Sequence, residues 1–245
     1  MSIFVRNPEY TANFIQDWVK ERVEQAGAMG AILGLSGGID SSVLAVLLKR
    51  AFGANMLALI MPCHSDTEDL LHAKLLSEKF DIKSSVLDIT KVYDDYINEV
   101  SKLCEISILA KANTKSRLRM VTLYAVGHSK NYLVCGTSNK SEFTIGYFTK
   151  YGDSGSDLLP VADLLKREIY DLAEYLDIPK EIIEKPPSAG LWKGQTDENE
   201  IGLSYAVIDR FIATGEADTA DAKKINFMNT LSAHKRSAPP ICIIN

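Results

Sequence analysis

Residues 31–48 read AILGLSGGIDSSVLAVLL: an apolar run, a short turn of glycines and hydroxyls, and a second apolar run. Ala31 to Leu35 suit a strand buried on both faces, and Val43 to Leu48 suit a helix packed on it. Between them, Gly37 and Gly38 let the backbone bend sharply and approach a ligand. The helix start that follows offers unpaired N–H groups and the positive end of a dipole. Such a turn is a place for phosphate. Ser36, Ser41 and Ser42 add hydroxyl donors, and Asp40, which by itself repels an anion, fits if a divalent cation stands between the two.

The turn lacks the lysine of the G-x-x-x-x-G-K-[ST] loop, and it is not G-x-G-x-x-G. The string SGGIDSS instead resembles the pyrophosphate loop of N-type ATP pyrophosphatases, which split ATP into AMP and pyrophosphate. Without a ligand the same residues would be a serine-capped helix after a glycine turn, a reading that leaves Asp40 unexplained.

Composition narrows the class. A length of 245 residues with 46% hydrophobic and 24% charged side chains suits a globular chain with ample core. The net charge of −5 counts against broad nucleic-acid binding. The four cysteines, Cys63, Cys104, Cys135 and Cys242, form no C-x-x-C, so reduced thiols in the cytoplasm are the expectation. No apolar run reaches the roughly 18 residues of a membrane span, and no signal peptide is evident.

In chain order, Pro8 to Ala26 read as an amphipathic entry helix whose Tyr10, Phe14, Trp18 and Val23 are expected in the core. Asn55 to Met61 form a second buried strand ended by Pro62, placing Met61 where an adenine can rest. Asp66 to Phe80 read as a helix and Ser84 to Leu87 as a third strand, with Ile82 to Ser85 suiting a mobile connection. A helix over 92–103 precedes a second over 113–129, whose buried face is expected from Leu118, Val121, Leu123, Tyr124 and Ala125. Arg117 and Arg119 then fall in its first turns, where the dipole disfavours cations and an anion would compensate. For an isolated R-x-R, the better reading is that both arginines are solvated or paired with the acidic surface.

Tyr132 to Cys135 make another strand, ending in Gly136 and Thr137, a second meeting of backbone and hydroxyl with nucleotide oxygens. Glu142, expected about one and a half turns into the following helix, would complete a magnesium site with Asp40. Residues 147–160 have the composition of a functional loop. Lys166 to Leu176 read as a helix. The Pro- and Gly-rich run from Lys185 reads as a lid that docks through Trp192. Helices over 204–214 and 219–232 close the chain, with His234, Lys235 and Arg236 at the last helix end. Alternating strands and helices predict a doubly wound α/β fold: a mostly parallel sheet with helices on both faces, in one domain spanning 1–245.

Six stretches in order, LGLSGGIDSS, SRLRM, Gly136–Thr137 with Glu142, FTKYGDSGSDLLP, PPSAGLWKGQTDE and HKR, resemble the ammonia-dependent NAD synthetase family. Ser116, where the family often has alanine, and Ser154 and Ser156 depart from its pattern. The resemblance implies an adenine nucleotide α-hydrolase-like fold and a homodimer with substrate sites across the interface. It also implies a ligase that adenylates deamido-NAD with ATP and amidates it with ammonia, giving NAD, AMP and pyrophosphate. Gly34, Leu35, Ser36, Gly37, Gly38, Ile39, Asp40 and Ser41 would bind ATP phosphates, with Met61, Thr137, Lys166 and Ser188 contacting the rest of ATP. Asp40 and Glu142 would hold Mg2+. Arg117, Lys150, Asp157, His234 and Lys235 would contact deamido-NAD, and Asp153 would face ammonia. A chain of this length leaves no room for a glutaminase domain, so free ammonia is the expected donor.

Adenylation brings a carboxylate against a phosphate of like charge, so the site must supply cations such as magnesium and Lys166. In the second half-reaction ammonia is mostly ammonium at neutral pH, and an aspartate with the usual carboxyl pKa of about 3.9 is a poor base for it. Asp153 is therefore expected to attract ammonium by charge and to take its proton only in a desolvated, closed site. A tRNA-modifying or GMP-forming pyrophosphatase would share only the first loop. A nucleotide-binding module without catalysis would not need the later lysines and carboxylates.

Overall fold

The fold is that of a computed structural model describing residues 6–188, 194 and 196–244. In chain order its elements are α1 (Pro8–Gln25), β1 (Gly30–Gly34), α2 (Ile39–Phe52), β2 (Met56–Ile60), α3 (Thr67–Lys79), β3 (Ser84–Val86), α4 (Thr90–Val100), α5 (Ile108–Lys130) and β4 (Tyr132–Val134). Then follow α6 (Lys140–Ile145), α7 (Lys166–Tyr175), α8 (Lys180–Ile183), α9 (Asp197–Ile201), α10 (Tyr205–Thr214) and α11 (Thr219–Leu231). Trp192, the expected docking residue of the lid, lies outside the described residues.

The strands form a wholly parallel sheet in the order β3-β2-β1-β4, with Ile32 of β1 opposite Leu57 on one side and Val134 on the other. Alternation along the strands splits their side chains between two cores. Ala31, Leu33, Met56, Ala58 and Ile60 pack among α1, α2, α3 and α7. Ile32, Leu57, Leu59 and Val134 pack on the opposite face with Ile89 and Tyr93 and with Leu118, Leu123 and Tyr124 of α5. A sheet covered on both faces explains why β1 and β2 are apolar throughout. A third cluster, with Ile145, Ile201, Tyr205, Ile208 and Ile225, seats α6 against α9, α10 and α11. Among the described residues no helix is long and apolar enough to cross a membrane.

From β1 the chain builds outward through β2 to β3 and then returns to add β4 on the other side of β1. The strand order therefore reverses between β1 and β4, the crevice where open α/β sheets take ligands.

Several expectations change. Tyr10 and Phe14 are 67% and 58% exposed, and the buried stripe of α1 is Ala12, Ile15, Val19 and Val23. The aromatics share one face at i, i+4, but the apolar stripe one step round the helix meets α2 and α7. Ser84 and Ser85 are not a connection but part of edge strand β3, and Ile82 is buried. Helix α5 begins at Ile108, capped by Ser107, so Arg117 and Arg119 sit near its third turn and the dipole argument about them falls. Val121 and Ala125 are exposed rather than buried. Glu142 lies in the first turn of α6, as the partner of Asn139 in a capping box, not one and a half turns in.

Candidate active site

A cavity of about 590 Å³ opens at the carboxyl ends of β1 and β4. Gly34, Leu35, Ser36, Gly38, Ile39, Asp40 and Ser41 line it, with Met61, Thr137, Glu142, Lys166 and Ser188. So do Arg117, Lys150, Asp153, His234 and Lys235. Of the residues expected from sequence to meet the ligands, Gly37, Ser42 and Asp157 do not line it.

The first turn is built to expose backbone donors. Gly38 is the N-cap of α2 and supplies no side-chain cap, so the first-turn N–H groups are left without a side-chain acceptor. Gly37 has φ +86°, and a Cβ there would stand 2.2 Å from the carbonyl oxygen of Asp69. Only glycine satisfies both constraints. Ser36 and Ser41 share a hydroxyl contact of 3.0 Å, and Ser41 Oγ donates to Gly38 O at 2.9 Å, which sets the loop's shape. Ser42 donates inward to the same carbonyl and is fully buried, so it is not the ligand donor expected of it.

Lys166 joins this turn to the second one. It opens α7, whose N-terminus is held by Ser141 and Asp209: Lys166 N donates to Ser141 Oγ at 3.0 Å and Arg167 N to Asp209 Oδ2 at 2.9 Å. The buried Lys166 side chain brings Nζ to 2.6 Å from Asp40 Oδ2 and 3.3 Å from Glu142 Oε1. Asn139 Nδ2 donates to the other oxygen of Asp40 at 2.8 Å. Tyr205 OH lies 3.2 Å from Glu142 Oε1 and 2.9 Å from Asp197 Oδ2. Tyr147 OH donates to Asp197 Oδ1 at 3.1 Å.

The charges in this cluster do not balance. Burial alone would push the Lys166 ammonium down, but Asp40, Glu142 and Asp197 together hold it well above the usual lysine range. Burial pushes the Glu142 carboxyl up to about 7; Lys166 opposes this, while Asp40 and Asp197 add to it. Asp197 is raised as well, first by burial. Carboxylates thus outnumber the ammonium they face, and their oxygens suit a hard cation. Among the described residues no three His, Cys, Asp or Glu side chains converge to hold a metal by themselves. A cation bound here would take its remaining ligands from phosphate and water.

At the far end of the cavity, Asp153 Oδ1 accepts from Ser116 Oγ at 2.6 Å and from Thr149 N at 3.0 Å. Lys235 Nζ donates to the carbonyls of Gly146 and Phe148, each at 2.8 Å, so it ties the loop after α6 as well as facing the cavity. Arg117 Nη2 donates to Lys150 O at 3.2 Å. Arg119 is spent on Met61 O at 3.1 Å and Ser65 Oγ at 3.3 Å, which anchors the end of β2. Asp157 sits outside, accepting from Val134 N at 2.8 Å and Tyr124 OH at 3.1 Å.

A family model described as NAD synthase matches residues 11–239. The chain belongs to the NAD synthase family. It is 46% identical over 242 residues to an NH3-dependent NAD+ synthetase of Syntrophomonas wolfei, covering 97% of each. It is similar to the solved structure of NMN synthetase from Francisella tularensis, with a TM-score of 0.92 at 36% identity over 98% of this chain and 100% of that one. It is also similar to the NH3-dependent NAD synthetase from Campylobacter jejuni in complex with nitrate, with a TM-score of 0.81 at 31% identity over 97% of this chain and 100% of that one.

Within this NAD synthase site, several residues escaped sequence reasoning. Asn139 holds Asp40, Tyr205 bonds Glu142 and Asp197, and Tyr147 bonds Asp197, a third carboxylate of the cluster. The S-N-K-S-E spacing at 138–142 carried a signal for Asn139, since an Asn followed three residues later by Glu reads as a capping box. Tyr147 opens the loop that follows α6, but nothing local announces Tyr205, which arrives from α10 across 63 positions.

Proposed function

We propose that this chain catalyses amide formation on deamido-NAD in two steps. A nicotinate carboxylate oxygen attacks the α-phosphorus of ATP, the bond to the β-phosphate oxygen breaks, and pyrophosphate leaves. The lone pair of ammonia then attacks the carboxyl carbon, the bond to the AMP phosphate breaks, and AMP departs with that electron pair. Ammonium gives up one proton before it attacks and the nitrogen a second as the amide forms. Asp153, which lines the cavity, is the assigned acceptor: it takes these protons one at a time, each passing to water before the next is released.

The observation that carries this reading is Lys166, buried between Asp40 and Glu142 where both glycine turns meet, in the same cavity as Asp153. Two like charges must meet in the first step. At about 4 Å each unit charge is worth roughly 4 kcal/mol at an effective dielectric near 20, so a fixed ammonium is a substantial aid. Backbone N–H groups of 39–41 would take the departing pyrophosphate, with Thr137, Ser188 and Met61 around the nucleotide. Asp40 and Glu142 would hold Mg2+, which when bound supplies further neutralisation of phosphate charge. Arg117, Lys150, His234 and Lys235 would bind the dinucleotide.

Free ammonia as donor is supported by near-complete mutual coverage with relatives named NH3-dependent. A homodimer is supported by the uncovered apolar residues of α4 and α5 and the segment between them, including Tyr96, Leu103, Ile108 and Val121. A second copy there would bring the exposed Asp157 against a shared substrate. A cytoplasmic setting is proposed from the cysteine spacing alone, four widely separated residues without a C-x-x-C.

Incubation with ATP, magnesium, deamido-NAD and ammonium should give NAD, AMP and pyrophosphate in equal amounts; ADP formation, or ATP turnover without amide, contradicts the reading. A second reading has its own support in the TM-score of 0.92 to an NMN synthetase. Nicotinate mononucleotide would then be the amide acceptor, by the same chemistry. The ratio of kcat/KM for the two acceptors decides between them.

A further inference from the structure

Loop 147–155 lies along one stripe of α5, formed by Asn113, Ser116 and Met120, which are three and four residues apart. Thr149 Oγ1 donates to Asn113 Oδ1 at 2.8 Å. A Cβ added at Gly152 would come within 2.7 Å of Ser116 Oγ, and one at Gly155 within 2.8 Å of Met120 Cγ. The two glycines thus let the loop lie flat on the helix. At the centre of this seat Ser116 and Asp153 are bonded reciprocally: Ser116 Oγ donates to Asp153 Oδ1 at 2.6 Å, and Asp153 N donates to Ser116 Oγ at 3.0 Å.

The hydroxyl is used unusually for a helix interior, where Ser and Thr commonly bond the carbonyl four residues back. On this helix Thr114, Thr122 and Ser129 do so, to Ala110, Leu118 and Ala125. Ser116 gives its hydroxyl to Asp153 instead. Ser116 is only 7% exposed, so its hydroxyl is turned into the loop, while the carboxylate of Asp153 stays open to solvent on its other side. Both donors to the carboxylate, Ser116 Oγ and Thr149 N, fall on Oδ1. Among the described residues Oδ2 accepts no hydrogen bond, so it is the oxygen left for an incoming donor.

We infer that Ser116 is a positioning residue for the nitrogen donor: its hydroxyl locks the Asp153 carboxylate on α5 so that Oδ2 is presented to ammonium. This rests on the reading of Asp153 as the acceptor in the second half-reaction. An alanine at 116 would leave Oδ1 with the Thr149 N–H alone and the carboxylate free to turn. Ser116 therefore bears on capture of ammonium and not on adenylation.

The test compares Ser116→Ala with Asp153→Asn and the double variant, using full-length protein. It measures NAD formation against ammonium concentration and, separately, pyrophosphate release from ATP and deamido-NAD without ammonium. Ser116→Ala is expected to raise KM for ammonium about three- to tenfold while pyrophosphate release stays within about twofold, and to add nothing in the Asp153→Asn background. Ser116→Cys keeps the volume with only a weak donor. It should move KM the same way if the alanine variant folds poorly. An unchanged ammonium KM in Ser116→Ala, with Asp153→Asn impaired, overturns the role of Ser116 and leaves that of Asp153 standing. Equal slowing of both half-reactions by Ser116→Ala also overturns it, since that marks a purely structural residue. An Asp153→Asn variant with normal ammonium dependence removes the reading of Asp153 itself.

Discussion

Lys166 and Glu142 show how one buried cation conditions its neighbours. The Glu142 carboxyl is pushed up to about 7 from 4.5, chiefly by burial, with Lys166 opposing and the carboxylates of Asp40 and Asp197 adding to the rise. A group that holds its proton more tightly when folded contributes stability that is complete below its unfolded value. That stability is lost as the pH rises through the folded value. The protein without ligands is therefore expected to lose stability as the pH rises from about 4.5 through about 7. Glu142→Gln, neutral throughout, should flatten that part of the curve of Tm against pH. A variant curve parallel to the wild-type one would show that Glu142 does not titrate in this window.

The glycine turn after β1 makes its demands as an element, and its two glycines are not equivalent. Gly37 has positive φ and no space for a Cβ, whereas Gly38 has φ −85° and its nearest neighbour to a Cβ, Ser36 Oγ, stands at 3.4 Å. Gly37→Ala is expected to cost about 1–3 kcal/mol of backbone strain and to weaken ATP binding by more than tenfold, measured by denaturant unfolding and calorimetric titration. Gly38→Ala should leave fold stability within about 1 kcal/mol, since its backbone lies in a region open to any residue. Equal destabilisation by the two changes would contradict this. The strand, turn and helix start were legible because each depends on local rules: alternation, glycine pairs, hydroxyls before a helix. The start of α5 was not: its first turn, Ile108 and Leu109, is exposed and shows no buried stripe, so only the Ser107 cap, accepting from Ala110 N, marks where the helix begins.

For the whole molecule, one stretch of uncovered apolar side chains runs over α4, α5 and the segment joining them. Leu103 and Ile108 are 84% and 77% exposed. Surfaces of this kind mark association sites. Leu103→Lys combined with Ile108→Glu is expected to convert a dimer to a monomer in sedimentation equilibrium. It should also depress NAD formation while ATP binding persists. A native chain that sediments as a monomer at working concentration would remove the dimer from the proposal.

By itself the sequence determined the order of strands and helices, the phosphate turn and the family, because each is written in short-range patterns of period, turn chemistry and motif. It also marked Asp40, Glu142, Asp153 and Lys166 as a set. Only the tertiary structure decided how they meet: Lys166 reaches Asp40 across 126 positions, Tyr205 and Asp197 come in from the third cluster, and Ser116 clasps Asp153 from another helix. The same packing turned Tyr10 and Phe14 outward and set Asp157 outside the cavity. Side-chain direction and buried charge depend on which elements lie across from each other, and no stretch of chain encodes its distant neighbours.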